Sequence, residues 1–495
     1  MSAPKSVRCH VCSSRHRIKG RPIVINGQAI PVRNTVKTLG VTIDRGLTFK
    51  AHFDNIRTNC QSRLNLMKTL SSPHYSNNRR ILYRVAAAVI DSRLLYGLEM
   101  TCLSSDILIN SLAPIYNRYV RTISHLLPST PADTTCIEAG LLPFRFRITV
   151  ALCCKAATFA ERTAGSFRTR LLEEADILLQ KTADAVLPPV AKIQWYGERD
   201  WRGPKIRIDN RIKRNFRAGD NSVCLRRTVV ELLETDYNSY QRRYTDGSLS
   251  TSGIGMGIFD HSLAVSMSLP EQCSIFSAEA AAILYAVTAP ANRPIVVITD
   301  SASVVSALQS EAPRHPWIQD IITHAPPDLC LMWVPGHCGV AGNEAADQLA
   351  GAGPSGPRYK TAVPVPDIRR WVKALALQAW QDEWTRTRGH LRKIKQSTKA
   401  WTDLRSMREQ TIISRLRTGH TRVTHNYGGS PFHRTCEICG IITSVEHIIC
   451  VCPAYEGPRR LYDTPGSIRD ALKDDPSSLA ALICFIKDAG LFFKI

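Results

Sequence analysis

The chain has 495 residues, 44% of them hydrophobic and 21% charged, a balance that supports folded cores throughout and roughly three domains. Its net charge of +22 points to a polyanionic partner, nucleic acid first. The sequence excludes membrane-spanning helices: the most apolar stretch, residues 479–493, is broken by Lys487 and Asp488, and the opening MSAPKSVRCHVC lacks the apolar core of a signal peptide. An intracellular location is therefore expected, where the 16 cysteines are free thiols or metal ligands rather than disulfides.

Residues 20–50 alternate like strands (RPIVING, AIPVRN, VKTLGVTID), with turns expected at Asn26-Gly27 and Arg45-Gly46. From about 50 to 185 the apolar spacing moves to near 3.6, as in ILYRVAAAVIDSRLLYGLEM and in residues 148–179, so this region is predicted to be mainly helical. Residues 186–240 are basic, with Pro188-Pro189 and the run IRIDNRIKRNFRAG. They read as a linker with some helix, either a phosphate-contacting arm or a solvated connection. From Gln241 onward, RRYTDGS, SGIGMGIFD and LAVSMSL predict an antiparallel meander of three strands. The helix SIFSAEAAAILYAVTA, the buried strand PIVVITD and the helix SASVVSALQS follow. A Pro-rich loop, the strand DLCLMWVP and the helix AGNEAADQLAGA complete the segment. This order predicts an α/β domain over 241–355 with a mixed five-stranded sheet and flanking helices. Residues 366–495 open with a helical pattern, VPDIRRWVKALALQAWQDEWTRTRG, continue through a basic helical stretch and carry a Cys/His cluster.

Charge is unevenly spread. Residues 243–355 hold three basic and ten acidic side chains, a balance of −7, so the remainder of the chain carries +29. Four of these acids sit at the end of an apolar run or on a helix: Asp246 (YTDGS), Glu279 (FSAEAAAIL), Asp300 (VVITDSAS) and Asp347 (GNEAADQLA). If the strands bearing Asp246 and Asp300 are neighbours, those side chains share one sheet edge. Glu279 lies about one turn into its helix, and Asp347 follows Glu344 by three residues. Four converging acids repel one another unless divalent cations neutralise them. Two Mg²⁺ (or Mn²⁺) ions held this way suit in-line displacement at a phosphodiester. His337, in the Gly-rich turn PGHCGVAG, is expected to be mobile and to shuttle a proton or help release product. Gly253-x-Gly255-x-Gly257 has the wrong spacing for a dinucleotide motif and no helix after it, so it reads as glycines of a strand turn.

On these residues the stretch 241–355 resembles a type 1 ribonuclease H domain. TDGS at 245–248, SAE at 277–279, TDS at 299–301 and GNEAAD at 342–347 stand where that family has its metal-binding acids, and His337 corresponds to its mobile histidine. The resemblance implies Mg²⁺-dependent endonucleolytic cleavage of the RNA strand of an RNA–DNA hybrid, with RNA selected through its 2′-hydroxyls and the hybrid's shape. No membrane and no small-molecule substrate are expected as partners.

Near the C-terminus, Cys436-x₂-Cys439-x₇-His447-x₄-Cys452 has the ligand types and count of a closed, structural Zn²⁺ site, with Cys450 a rival for the last position. RLRTGHTR just upstream is either a nucleic-acid contact or a solvated basic face.

The flanks carry a second resemblance. VKTLGVTIDRGLTFKAHF, with LLYGLEM and IEAGLLPF after it, is similar to the segment following the polymerase palm in non-LTR retrotransposon reverse transcriptases. WQDEWTRT, RLRTGHT and the Cys/His cluster resemble the tail after ribonuclease H in arthropod-type elements of that group. The implied organisation is a polymerase-thumb-like, mainly helical remnant at 1–185, a basic linker at 186–240, the nuclease at 241–355, and a basic helical tail at 366–495 with the zinc cluster at 436–452. The Asp-Asp pair of a polymerase palm is missing in its proper context, since Asp474-Asp475 stands in ALKDDPSS, so no DNA synthesis is expected. The alternative reading is a nucleic-acid-binding retrotransposon remnant without catalytic activity.

Overall fold

In the computed structural model the chain forms two compact units, Cys153–Ala374 and the pairing of Met1–Leu152 with Leu375–Ile495. The structure describes residues 6–11, 22–71, 79–101, 106–193, 206–212, 222–402, 406–425 and 433–495. Half of the opening MSAPKSVRCHVC and residues 213–219 of the basic run lie outside them.

The middle unit is built on a sheet of six strands: β1 (Arg207–Asp209), β2 (Gln241–Ser250), β3 (Gly253–Asp260), β4 (Leu263–Ser268), β5 (Ile295–Thr299) and β6 (Cys330–Trp333). Their order is β1-β6-β5-β2-β3-β4. The meander β2–β4 is antiparallel as expected, while β5 runs parallel to β2, β6 to β5 and β1 to β6. The sheet is mixed, as expected, but six-stranded rather than five-stranded. Five helices accompany it: α1 (Ser222–Thr235), α2 (Ile275–Thr288), α3 (Ala302–Leu308), α4 (Pro316–His324) and α5 (Ala341–Ala352). The Pro-rich loop of the sequence reading contains α4. Pro316 sits in its first turn, where a fixed φ favours helix, and Trp317, Ile318 and Ile321 are buried.

The extra strand and α1 both come from the stretch read as a linker with some helix, and these described parts of it belong to the fold. α1 buries Leu225, Val229 and Leu233 against Val296 and Ile298 of β5 and Cys330 and Met332 of β6. Each such apolar side chain contributes about 1.5–3 kcal/mol when removed from water. A polar staple closes the join. Tyr237 Oη donates to Asp209 Oδ2 at 2.8 Å, and Arg211 Nη2 donates to the same oxygen at 2.7 Å while its Nη1 reaches Asp236.

In the other unit, residues 24–44 form two hairpins, Val24–Ile25 with Gln28–Ala29 and Thr35–Thr38 with Val41–Asp44. The turns fall at Asn26-Gly27 and Leu39-Gly40, where all four residues have positive φ. At Arg45-Gly46 the Asp44 carboxylate accepts from the N–H groups of Gly46, Thr48 and Phe49, ahead of the helix Lys50–Leu70. Helices dominate after that, including Ala113–Ile123, Ala132–Ala139, Met407–Thr418 and Pro476–Asp488. The first and last parts of the chain share this fold: Glu138 accepts from Ser414 Oγ at 2.6 Å and from Trp401 Nε1 at 2.7 Å. The Trp401 ring lies between Arg417, 3.5 Å from its centroid, and Lys395 at 4.1 Å. The Asp-Asp pair is structural here. Asp475 caps Pro476–Asp488 by accepting from Ser478 N–H, and Asp474 accepts from Thr402. Among the described residues no helix is long and apolar enough to cross a membrane.

Candidate active site

Register brings the first two acids together. β2 and β5 are parallel neighbours with Thr245 opposite Thr299, so Asp246 and Asp300, the next residue on each, emerge side by side at one end of the sheet. Glu279 arrives on α2, whose N-terminus is capped by Ser274 Oγ accepting from Ser277 N–H. Gly247 permits that approach, because a Cβ there would lie 2.7 Å from Glu279 N. One oxygen from each of Asp246, Glu279 and Asp300 lies within 4.8 Å of the others.

Asp347 is delivered by α5, which lies directly on β3. A Cβ at Gly257 would stand 2.2 Å from Ala346 O, and one at Gly255 the same distance from Ala350 O. Only Gly253 of the three spaced glycines serves a turn (φ 136°); the other two clear the path for α5. Gly257 is the cross-strand partner of Asp246, so the helix crosses at the level that brings Asp347 close enough to raise the Asp246 carboxyl. All four predicted acids meet.

The resulting electrostatics are unfavourable for four anions. Burial, then Asp300 and Asp347 beside it, pushes the Asp246 carboxyl up to about 7. Burial, then Asp246 and Asp300, pushes Glu279 up to about 9. Asp300 is also raised by burial, against the opposing pull of Asn343 and the nearby His337. Glu279 is 8% exposed, and its buried Oε2 has no partner. Among the described residues no Lys or Arg pairs with any of the four acids. Hard oxygen donors, mutual repulsion and an orphaned carboxylate oxygen fit a site for divalent cations.

His337 lies on an exposed turn with φ 53°, beside this cluster. A Cβ at Gly336 would fall 2.7 Å from Asp300 Oδ2, so the turn abuts that acid. His337, Glu344 and Asp347 form a second group whose ligand atoms lie within 4.8 Å of one another. Sequence reasoning missed three supporting residues. Asn343, 3% exposed, stands beside Asp300 and opposes the rise of its carboxyl pKa; Trp333 Nε1 donates to Asp300 O at 3.0 Å; Glu344 Oε1 accepts from Gly339 N–H at 3.3 Å. The available signal was Asn343 standing four residues before Asp347, on the same helix face.

The Cys/His residues also converge. Cys436, Cys439, His447 and Cys452 have ligand atoms mutually within 4.8 Å, whereas Cys450 packs against the apolar core of the tail. The sulfurs of Cys436 and Cys439 lie 3.8 and 3.9 Å from that of Cys452. A tetrahedron with Zn–S bonds of about 2.3 Å has an edge of about 3.8 Å, so the spacing suits zinc. Both ring nitrogens of His447 are buried without hydrogen-bond partners, and the nearness of His447 is the largest influence bringing the Cys436 thiol down to about 6, favouring the thiolate a metal needs.

No curated protein matches the chain. Residues 239–355 match the family model described as RNase H. That span contains five of the six strands, helices α2–α5, all four acids and the His337 turn. The match supports a ribonuclease H domain in the middle of this chain, and such domains generally use divalent metals.

Proposed function

We propose that the chain is an endonuclease that hydrolyses the RNA strand of RNA–DNA hybrids by a two-metal-ion mechanism, within an intracellular, retrotransposon-derived protein. The observation that carries this reading is Glu279: a buried carboxyl with an orphaned oxygen, grouped with Asp246 and Asp300 inside the ribonuclease H domain. Such a group is stable as an anion only beside a cation.

Asp246, Glu279, Asp300 and Asp347 would hold Mg²⁺ or Mn²⁺. When bound there, the metal supplies Lewis-acid stabilisation of the phosphoryl oxygens and favours deprotonation of the attacking water. Asn343 stands beside the Asp300 carboxylate and favours its ionised form, and Trp333 fixes its backbone. His337, exposed on its turn, accepts or returns a proton at a ring nitrogen and swings clear for product to leave. The Cys436, Cys439, His447 and Cys452 set would hold Zn²⁺ with every position filled by protein, a structural role. The retrotransposon origin rests on the motifs VKTLGVTIDRGLTFKAHF, LLYGLEM, RLRTGHT and the Cys/His spacing.

The test is hybrid cleavage with Mg²⁺ by the purified chain and by Asp300→Asn. Activity in the parent and a loss of at least about 10²-fold in the variant, the scale of removing one preorganised polar group from a reacting centre, are expected. Equal rates for the two sink the site assignment. Tight hybrid binding with no cleavage under any divalent metal establishes the remnant reading instead.

A further inference from the structure

The nuclease segment is short of positive charge where it must hold a polyanion. Between residues 243 and 355 its basic side chains are Arg243, Arg293 and Arg314. Arg243 is 1% exposed, tied to Asp260 and to the carbonyls at the end of α2. Arg293 precedes β5 and therefore sits at the end of the sheet opposite Asp300, and Arg314 lies in the loop before α4. None of the three is placed on the His337 turn.

A cation reaches that turn from outside the family-matched segment. The turn is anchored by Cys338 and Val340, which are buried in the same core as Leu225 and Val229 of α1. On the exposed side of α1, Arg226 lies along Gly339: a Cβ there would be 3.4 Å from Arg226 Cδ and 4.0 Å from its Nη1. Gly339 has φ 79°, and its N–H is held by Glu344, so the backbone beside Arg226 is fixed. Among the described residues the Arg226 guanidinium has neither a hydrogen bond nor an ion pair. It is an exposed cation lying along Gly339, two residues after the histidine of the candidate site, on a helix packed into the core.

We propose that Arg226 is a substrate-binding residue: its guanidinium contacts a backbone phosphate of the hybrid on the His337 side of the four acids. This rests on the nuclease reading for its substrate. Arginine suits the task because its planar fork matches phosphate oxygens and keeps its charge at all working pH. The helix α1 thereby does two jobs, covering the sheet and supplying the positive charge the acidic domain lacks.

The experiment uses the full chain with R226Q and R226K, measuring steady-state hybrid cleavage from 50 to 200 mM salt. R226Q should raise KM with the loss falling on KM rather than kcat, and leave the thermal midpoint in place. Losing one phosphate contact lowers the slope of log affinity against log salt by about 0.9, so the gap between R226Q and parent should narrow about 3.5-fold across that range. R226K should keep the parent slope. A parent-like KM and slope in R226Q, or a salt-independent fall in kcat with a lowered midpoint, overturns the assignment. If the parent binds hybrid without cutting it, the nuclease reading fails. The same slope comparison, made on binding by fluorescence anisotropy, then decides the Arg226 contact separately.

Discussion

The carboxylate cluster and the Cys/His cluster are both gatherings of metal-ligand types, but they are held together in opposite ways. The four acids come from β2, α2, the end of β5 and α5, and each is placed by packing that exists without any ion: the β2–β5 register and the bare backbones of Gly247, Gly255 and Gly257. The four Cys/His ligands come from one short stretch with few regular elements, the isolated bridge Thr435–Ile442 and the turn His447–Val451. A site whose geometry is built by the fold can leave room for substrate. A site whose ligands are local depends on the ion to order them. The first arrangement suits chemistry and the second suits structure.

The widest separation between the two should come from Cys452→Ser. If metal organises the tail, this variant loses hydrogen-exchange protection across residues 433–455, because zinc binding to small folded modules is worth about 10–16 kcal/mol. Hybrid cleavage should keep the parent's order of magnitude in kcat. Unchanged protection would mean that this cluster, too, is built by the fold.

A second contrast is with pH. Folded, metal-free Asp246 and Glu279 are raised to about 7 and about 9 from 3.8 and 4.5. The folded state therefore binds more protons than the unfolded chain between those limits, and its stability should fall as pH rises through roughly 4 to 9. Mg²⁺ should restore the loss, with affinity rising up to about tenfold per pH unit for each proton displaced. Thermal melts with and without Mg²⁺ across this range check both signs. A flat profile would argue that the acids are not sharing a site.

The smallest effect expected is for Asn343→Ala. Removing the amide that stands beside Asp300 should lower kcat about 10–100-fold, the usual scale for a residue supporting a metal ligand, with little change in the thermal midpoint. A variant with full activity would show that register alone fixes Asp300.

Much of the candidate site was legible because its acids stand in short, strongly patterned segments. TDGS ends a strand pattern, SAE opens a helix, and TDS follows the wholly buried run Ile295–Thr299. What stayed hidden needed tertiary information. Arg207–Asp209 is three residues long and basic in setting, and it becomes a strand only because β6 offers an open edge. Asn343 looks like a solvent-facing helix residue until Asp300 is placed against it. Cys450 and Cys452 were equivalent on spacing. The choice is made by the π-helical turn His447–Val451, which closes with Cys452 N–H on His447 O at 2.7 Å and so brings the fifth residue after His447 back to it.

The staple of Tyr237, Asp209 and Arg211 has a practical consequence for anyone isolating the ribonuclease H domain. Cutting the chain at residue 239, where the family match begins, removes β1, α1 and their ion pairs together. Val296, Ile298, Met332 and Val334 would then face water as one continuous apolar surface, and the free edge of β6 would be open to pairing with another copy. A fragment beginning near residue 206 keeps that surface covered, so the smallest well-behaved piece of this domain is expected to be longer than its family boundary.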